Sequence, residues 1–297
     1  MARFGKVLTA MVTPFRDDGS LDLGAAAVLA RWLADNGSDG LVVAGTTGEA
    51  PTLTHDEQIE LIGAVVSAVD VPVVAGAGSN DTAAAVELTE RAAEAGAGGI
   101  LSVAPYYNRP SQAGMARHFS AVAAATRLPV LIYDIPVRTG RKVDTATLLE
   151  LAHGVANIAG IKDAAGDPAE TAQLIAQAPD GFEVYSGDDS LTLPLLAVGA
   201  VGVIGVATHW TGAEHADMIA AFERGDVAAA RRINAGLQPS FNYETGLAAP
   251  NPVPAKAMMR RIGLPVGHCR PPLDVEPDGL AAAAAAVLAG TRLGAQG

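Results

Sequence analysis

Asn157-Ile158-Ala159-Gly160-Ile161-Lys162-Asp163 is a short apolar run that ends abruptly in a lysine, followed by the loop Ala164-Ala165-Gly166-Asp167. A continuous apolar run with little polar alternation predicts a strand buried on both faces. A lysine closing such a strand is held at the rim of a core. Burial there disfavours the ammonium form and lowers the pKa, so the free amine becomes available as a nucleophile. Amines of this kind form Schiff bases with carbonyl compounds. Taken by itself, Lys162 is more simply read as a side chain that snorkels to water from a strand end. The residues at the ends of the other strands decide between the two.

Working outward, apolar runs recur at a nearly constant interval: Val7–Val12, Gly40–Ala44, Val71–Ala75, Gly99–Val103, Val130–Tyr133, Asn157–Lys162, Phe182–Ser186 and Gly202–Val206. Amphipathic stretches separate them: Leu23–Asp35, His55–Val69, Thr82–Ala95, Ser111–Thr126, Asp144–Ala152, Pro168–Ala178, Ser190–Val198 and Thr211–Arg224. Thr54 ahead of Glu57 and Asp144 ahead of Thr147 look like helix caps. Gly96 and Gly199 look like helix stops. Strict alternation of strand and helix argues for a parallel sheet, and about eight units fit an α/β fold of the (β/α)8 TIM-barrel type. The alternative, an open doubly wound sheet, usually carries a glycine-rich nucleotide turn after its first strand. Here that place reads Thr13-Pro14-Phe15-Arg16-Asp17-Asp18-Gly19, which is not one. After Arg224 no further strand is predicted, while Asp226–Leu237, Pro254–Ile262 and Pro277–Ala289 look helical. The expected organisation is therefore a barrel carrying the active site over residues 1–224 and a C-terminal α-helical appendage over 225–297.

Composition sets the outer limits. The 297 residues are 49% hydrophobic and 18% charged, as in a globular chain long enough for one large barrel. A net charge of -12 argues against nucleic acid or an anionic membrane as partner, since the mean field repels both. Small anions remain accessible, because salt screens distant charge over ~8 to 10 Å. The single cysteine, Cys269, excludes an intramolecular disulfide, reads as an inert structural thiol, and fits a reducing cytoplasm. The apolar run Val7–Val12 is cut short by Pro14, too early for a signal sequence. No apolar stretch reaches the ~18 residues of a membrane span.

In such barrels the active site lies at the C-terminal ends of the strands, so the residues directly after each strand are informative. Gly45-Thr46-Thr47-Gly48-Glu49 comes after the second, and Ala104-Pro105-Tyr106-Tyr107-Asn108-Arg109-Pro110 after the fourth. The fifth ends in Tyr133 and runs into Asp134-Ile135-Pro136-Val137-Arg138-Thr139-Gly140. The sixth ends in Lys162, and Ser186-Gly187-Asp188-Asp189 closes the seventh. Hydroxyls, phenols, a lysine and an arginine converge on one mouth. Making and opening an imine requires several proton transfers, which a tyrosine and threonine hydroxyls can relay. Turn amides around Gly45–Glu49 can hold a carboxylate, and Arg138 can grip another bidentately.

Together these five motifs resemble the dihydrodipicolinate synthase family, a branch of the pyruvate-dependent class I aldolases that includes N-acetylneuraminate lyase. The resemblance runs from about Val7 to the proline-rich segment near Pro272. It implies condensation of pyruvate with L-aspartate 4-semialdehyde to 4-hydroxy-tetrahydrodipicolinate, a step of lysine and diaminopimelate biosynthesis. In that implied scheme Lys162 carries the pyruvate imine. Thr46 and Tyr133 relay protons with Tyr107, which a neighbouring subunit contributes. Thr47 and its turn hold the pyruvate carboxylate, Arg138 binds the carboxylate of the semialdehyde, and Gly187 and Ile204 line the pocket through their backbones. No metal and no cofactor are implied beyond pyruvate held covalently as a substrate. The assembly implied is a homotetramer, a dimer of dimers. A sister aldolase acting on N-acetylneuraminate or a 2-keto-3-deoxy sugar acid shares the lysine and the Gly-Thr-Thr-Gly-Glu turn; Arg138 discriminates, because a polyol does not need it.

Each residue also has a plainer role. Thr46 and Thr47 serve equally as helix caps. Tyr106 and Tyr107 suit a subunit interface. Tyr133 suits a half-buried core phenol, and Arg138 a surface ion pair. Asp188 and Asp189 read as a solvated turn or cap, since no histidine pair at ligand spacing accompanies them. Departures from the family pattern are Asp134, where asparagine is frequent and whose side chain is expected to point away from substrate, and Thr208-His209-Trp210, where His209 is expected as rim filler. His55, Asn80 and Tyr106 match a lysine-binding regulatory cleft, but Ala84 replaces its glutamate, and Ala50 and Gln58 also differ. Weak or absent inhibition by lysine is therefore expected.

Overall fold

A computed structural model describes residues 2–296. Eight strands, β1 (Val7–Ala10), β2 (Gly40–Val43), β3 (Val73–Gly76), β4 (Gly99–Val103), β5 (Val130–Asp134), β6 (Ile158–Asp163), β7 (Glu183–Ser186) and β8 (Gly202–Gly205), form a closed barrel. All neighbours are parallel, and β8 returns to β1. Between and after them lie helices α1 (Leu23–Asp35), α2 (His55–Val66), α3 (Thr82–Glu94), α4 (Gln112–Ala124), α5 (Pro136–Thr139), α6 (Thr145–Gly154), α7 (Pro168–Gln177), α8 (Thr192–Val198) and α9 (Thr208–Glu223). Helices α10 (Val227–Tyr243), α11 (Val253–Ile262) and α12 (Leu280–Ala289) come after the barrel. The expected (β/α)8 barrel is therefore the observed fold.

Side chains alternate between two cores, as the pleat requires. Leu8, Ala10, Val42, Val74, Leu131, Tyr185 and Ile204 fill the barrel interior. Val43, Val73, Val130, Ile132, Ile161 and Val184 face outward against the helices. Strand β6 breaks this rule once. Val130 pairs with Ile158 but Leu131 pairs with Gly160, so Ala159 is an extra residue, a β-bulge. Ile158 and Ile161 consequently both join the outer core although three residues apart. The slip reverses the faces beyond it, and Lys162, opposite Tyr133, turns into the barrel. Gly160 is required at the same point, since a Cβ there would lie 2.1 Å from the Glu183 carbonyl oxygen.

Helix ends agree with the sequence in part. Thr54 and Glu57 form a reciprocal capping box at α2. Gly199 stops α8 in the left-handed region, and Gly96 adopts φ +92° just beyond α3. Asp144 makes no side-chain cap; its amide and the Thr147 hydroxyl instead both donate to Gln112 Oε1, because the two helices meet there. The helix after β8 begins at Thr208 rather than Thr211, with the non-helical break falling at Thr211 itself.

The C-terminal helices share the outer core with the barrel: Ala230, Leu237, Phe241, Ala255, Met258 and Met259 all belong to it. They are also fastened to the turn after β2. Lys256 Nζ lies 2.7 Å from Glu49 Oε1, both side chains fully buried, and donates to the His268 carbonyl at 2.8 Å. The Arg270 amide donates to the other Glu49 oxygen at 2.9 Å. Lys256 and Arg270 both pack over the Phe15 ring. Removing one member of a buried pair strands the other charge, at a cost of about 3–5 kcal/mol. Lys256→Met is therefore expected to lower unfolding free energy by about that amount in urea titration, while the neutral pair Glu49→Gln with Lys256→Met recovers most of it.

Candidate active site

The barrel mouth gathers most of the residues singled out above. Lys162 is buried at the end of β6, its Nζ 4.4 Å from the centre of the Tyr133 ring on the adjacent strand. Tyr133 is buried too, and faces the same cleft as Thr46 in the turn after β2. Thr47, next in that turn, is buried and accepts a hydrogen bond from Asn251 Nδ2 at 2.9 Å. Ile204 closes the interior from β8. Gly187 lies against the lysine stem: a Cβ there would come within 3.0 Å of Lys162 Cγ and 2.9 Å of Ala164 Cβ, so a larger residue would displace the amine. Arg138 stands exposed at the rim on α5, whose short helix is begun by Pro136. It points back toward the Asn251 carbonyl at 3.5 Å. Thr46, Tyr133 and Arg138 line one cleft of about 370 Å³, which continues past Tyr106 to Gln58 and His55.

Tyr107 is not brought into this site within the chain. Its side chain is 90% exposed and its backbone is held at φ +70°, a conformation unusual for a tyrosine. His209 does not lie at the rim. It is buried, with Nδ1 bonded to the Val206 carbonyl and Nε2 accepting from the Val12 amide at 3.1 Å, so it ties β8 to the end of β1. Burial pushes it down to about 4, and it stays neutral. Asp189 is likewise no solvated turn: it is 1% exposed and accepts from the Val206 amide. Asp188 does cap its turn, accepting from Ser190. Cys269 is buried and its thiol is pushed up to about 12, mainly by burial, which makes it inert as a nucleophile. Asp134 faces away from the cleft, toward Lys142, Asp163 and Glu170 behind the barrel wall.

The electrostatics suit an amine that gives up its proton readily beside a neutral phenol. Burial, with Arg138 adding to it, lowers Lys162 to about 8, while Asp189 and Glu244 oppose the shift. Burial raises Tyr133 to about 12, so its hydroxyl remains protonated and can both donate and accept. An amine lowered to about 8 beside a neutral phenol is able to attack a carbonyl and release water. Among the described residues no group of three or more His, Cys, Asp or Glu side chains is disposed to hold a metal ion. No described helix is long and apolar enough to cross a membrane.

Asn251, Glu244 and the Glu49–Lys256 pair are not legible in the sequence as site elements. Asn251 carries a signal only in hindsight, in Pro250-Asn251-Pro252-Val253-Pro254, a proline-fixed segment too rigid for an ordinary loop.

Comparison with known proteins identifies relatives over nearly the whole chain. The model of the dihydrodipicolinate synthetase family matches residues 3–287. A 4-hydroxy-tetrahydrodipicolinate synthase of Moorella thermoacetica is 51% identical over 273 residues, covering 91% of this chain and 92% of that protein. The crystal structure of dihydrodipicolinate synthase DapA-2 from Bacillus anthracis superposes with a TM-score of 0.93 at 43% identity, over 97% and 98% of the two chains. The enzyme from Cyanidioschyzon merolae, crystallised with lysine bound, superposes at 0.95 with 42% identity, over 99% and 100%.

Asp134 yields a stability prediction. Burial raises its carboxyl from 3.8 to about 7, against the Val143 amide that stabilises the charge. Between those values the folded chain binds a proton that the unfolded chain has released. Stability attributable to this group is therefore full at low pH and lost as pH rises toward about 7. Asn accepts from the same amide without charge. Asp134→Asn is expected to raise unfolding free energy above pH 7 by on the order of 2–4 kcal/mol, with a smaller gain near pH 4, measured by denaturant titration across pH.

Proposed function

The chain belongs to the dihydrodipicolinate synthetase family, and on that premise we propose that it condenses pyruvate with L-aspartate 4-semialdehyde through an imine on Lys162. The product is 4-hydroxy-tetrahydrodipicolinate, and the enzyme is a lyase of lysine and diaminopimelate biosynthesis. The observation that carries the role of Lys162 is its burial against Tyr133, with the amine drawn down to about 8.

The amine attacks the keto carbon of pyruvate, and loss of water leaves an iminium. The Tyr133–Thr46 pair is suited to pass the protons that this requires, since the phenol is neutral and shares the cleft with the threonine. Loss of a methyl proton gives the enamine, which attacks the aldehyde carbon of the second substrate. The amine of that substrate then adds to the imine carbon, closing the ring and releasing Lys162. Thr47 and its turn hold the pyruvate carboxylate. Arg138 binds the carboxylate of the semialdehyde at the rim, where its guanidinium is exposed and reaches the Asn251 carbonyl at 3.5 Å. Gly187 and Ile204 shape the pocket. No cofactor is required beyond pyruvate itself.

Tyr107 completes the proton relay of a neighbouring subunit, in a homotetramer built as a dimer of dimers. An aromatic ring held outward on a left-handed backbone supports this assignment, because neither feature serves the isolated chain. We assign the enzyme to the cytoplasm. The names of the relatives favour the synthase over N-acetylneuraminate lyase or a 2-keto-3-deoxy sugar acid aldolase. The cleft near His55 lacks a carboxylate at Ala84, and Gln58 is occupied with the Ala50 carbonyl at 3.1 Å. A lysine ammonium finds no charge partner from these positions, so inhibition by lysine is weak or absent.

A coupled assay with pyruvate and L-aspartate 4-semialdehyde tests the reaction directly, and turnover with N-acetylneuraminate in its place would contradict it. Arg138→Ala is expected to raise KM for the semialdehyde by roughly 10- to 100-fold while leaving that for pyruvate nearly unchanged. Equal effects on both substrates would favour a sister aldolase. In the same assay, lysine below millimolar concentration is expected to leave the rate unchanged.

A further inference from the structure

Asp134 comes directly after Tyr133 on β5, and its side chain points behind the barrel wall instead of into the cleft. Its backbone is fixed to that wall: it pairs with Asp163 on β6, and its carbonyl accepts from the Ala164 amide at 2.9 Å. The buried carboxyl accepts from the Val143 amide, with Oδ1 at 3.1 Å. Between Asp134 and Val143 the chain leaves the barrel, forms α5 at the rim and returns. Arg138 is carried on that excursion, exposed. One hydrogen bond thus joins its two ends, and the end fixed in the sheet is the strand of Tyr133.

The excursion is stiff within itself. The Arg138 and Thr139 amides donate to the Ile135 carbonyl at 2.9 and 3.0 Å, the Thr139 hydroxyl donates to the Arg141 carbonyl at 2.8 Å, and Gly140 turns the chain at φ +75°. These bonds set its shape and leave its placement to the return point. There Val143 is buried in the outer core. Gln112 of α4 holds the residues on either side, donating to the Lys142 carbonyl at 2.9 Å and accepting from the Asp144 amide at 3.1 Å. Asp134 ties the return to β5 itself. Resting on the reading of Arg138 as the grip on the semialdehyde carboxylate, we propose that Asp134 is a positioning residue for that substrate: its clasp on the Val143 amide closes the loop through α5 and sets where the Arg138 guanidinium stands relative to Tyr133. Asp134 touches neither substrate and acts through Arg138.

Arginine grips a carboxylate well only when its planar fork meets both oxygens, so its place matters. The contact that the guanidinium makes at the rim is weak: Nη2 lies 3.5 Å from the Asn251 carbonyl, beyond the usual length of a hydrogen bond. Its placement therefore falls to the backbone of α5. A buried amide stripped of its acceptor is costly, and the chain moves to satisfy it. With the carboxyl gone, Val143 shifts toward another acceptor, and α5 shifts with it. The pyruvate end of the site stands on other elements, Lys162 on β6 and Thr47 in the turn after β2, so the displacement is felt by the second substrate.

The test is steady-state kinetics of the full-length protein with pyruvate and L-aspartate 4-semialdehyde, in wild type, Asp134→Ala, Asp134→Asn, Arg138→Ala and the double variant Asp134→Ala with Arg138→Ala. Asp134→Ala is expected to raise KM for the semialdehyde roughly 3- to 10-fold, the worth of one hydrogen bond, and to leave KM for pyruvate nearly unchanged. Asn keeps an acceptor at the same place, so Asp134→Asn is expected to retain the wild-type KM. In the Arg138→Ala background no guanidinium remains to misplace, so Asp134→Ala is expected to add nothing to the semialdehyde KM. An unchanged semialdehyde KM in Asp134→Ala, equal rises for both substrates, or effects that multiply in the double variant overturn the proposal; a merely structural role gives one of the last two. Should Asp134→Ala fail to fold, Asp134→Thr takes its place with the same expectations, since a β-branched residue suits a strand and its hydroxyl stops one bond short of the Val143 amide. An Arg138→Ala variant with wild-type KM for the semialdehyde refutes the underlying reading of Arg138 instead, and so separates the two failures.

Discussion

The withdrawal of one amine from water governs the rest of this molecule. Lys162 lies inside a barrel whose interior is filled mainly by apolar and aromatic side chains, and burial there is the main force that draws its pKa from 10.5 down to about 8. Access to the interior depends on a single irregularity, the extra residue at Ala159, which reverses the faces of β6 between Ile158 and Lys162. Without that slip the strict two-residue period would place Ile158 and Lys162 on the same, outward side, among the helices. Bulges that re-aim a side chain next to an active site are a known use of this distortion.

The site is also a product of the C-terminal helices, which by sequence look like an addition to a complete barrel. Asn251 bonds Thr47, Lys256 pairs with Glu49 at the end of the same turn, and Glu244 reaches the amide of Ala207 after β8. Three residues beyond the last strand thus fix the loops after β2 and β8. Charged groups sealed this deeply are costly to keep unless each is matched, which ties the register of the C-terminal segment to the geometry of the turn. Buried polar contacts therefore join the turn after β2 to the appended helices.

The eight strands and the barrel are legible in the sequence because a fully buried parallel strand is a nearly unbroken apolar run, and eight such runs alternate here with amphipathic stretches. The strand-end rule then finds Thr46, Tyr133, Arg138 and Lys162 with no three-dimensional information. Features of three kinds escape it. Polarity alone places His209 and Asp189 at the rim, yet both are buried and satisfied by backbone groups of Val12 and Val206, partners whose proximity no local pattern encodes. The bulge at Ala159 is equally silent, because an apolar run looks the same whichever face each residue takes. Tyr107 is a third case, with a backbone conformation that the sequence does not announce and a ring that the single chain leaves in solvent.

The fold lowers the Lys162 pKa far enough for a reactive share of its amine to be uncharged near neutral pH. Titration of its Nζ by NMR in protein carrying 15N-labelled lysine, assigned by comparison with Lys162→Arg, measures this directly. A midpoint of about 8 is expected. A midpoint near the ordinary lysine value of about 10.4 would show that burial does not lower it.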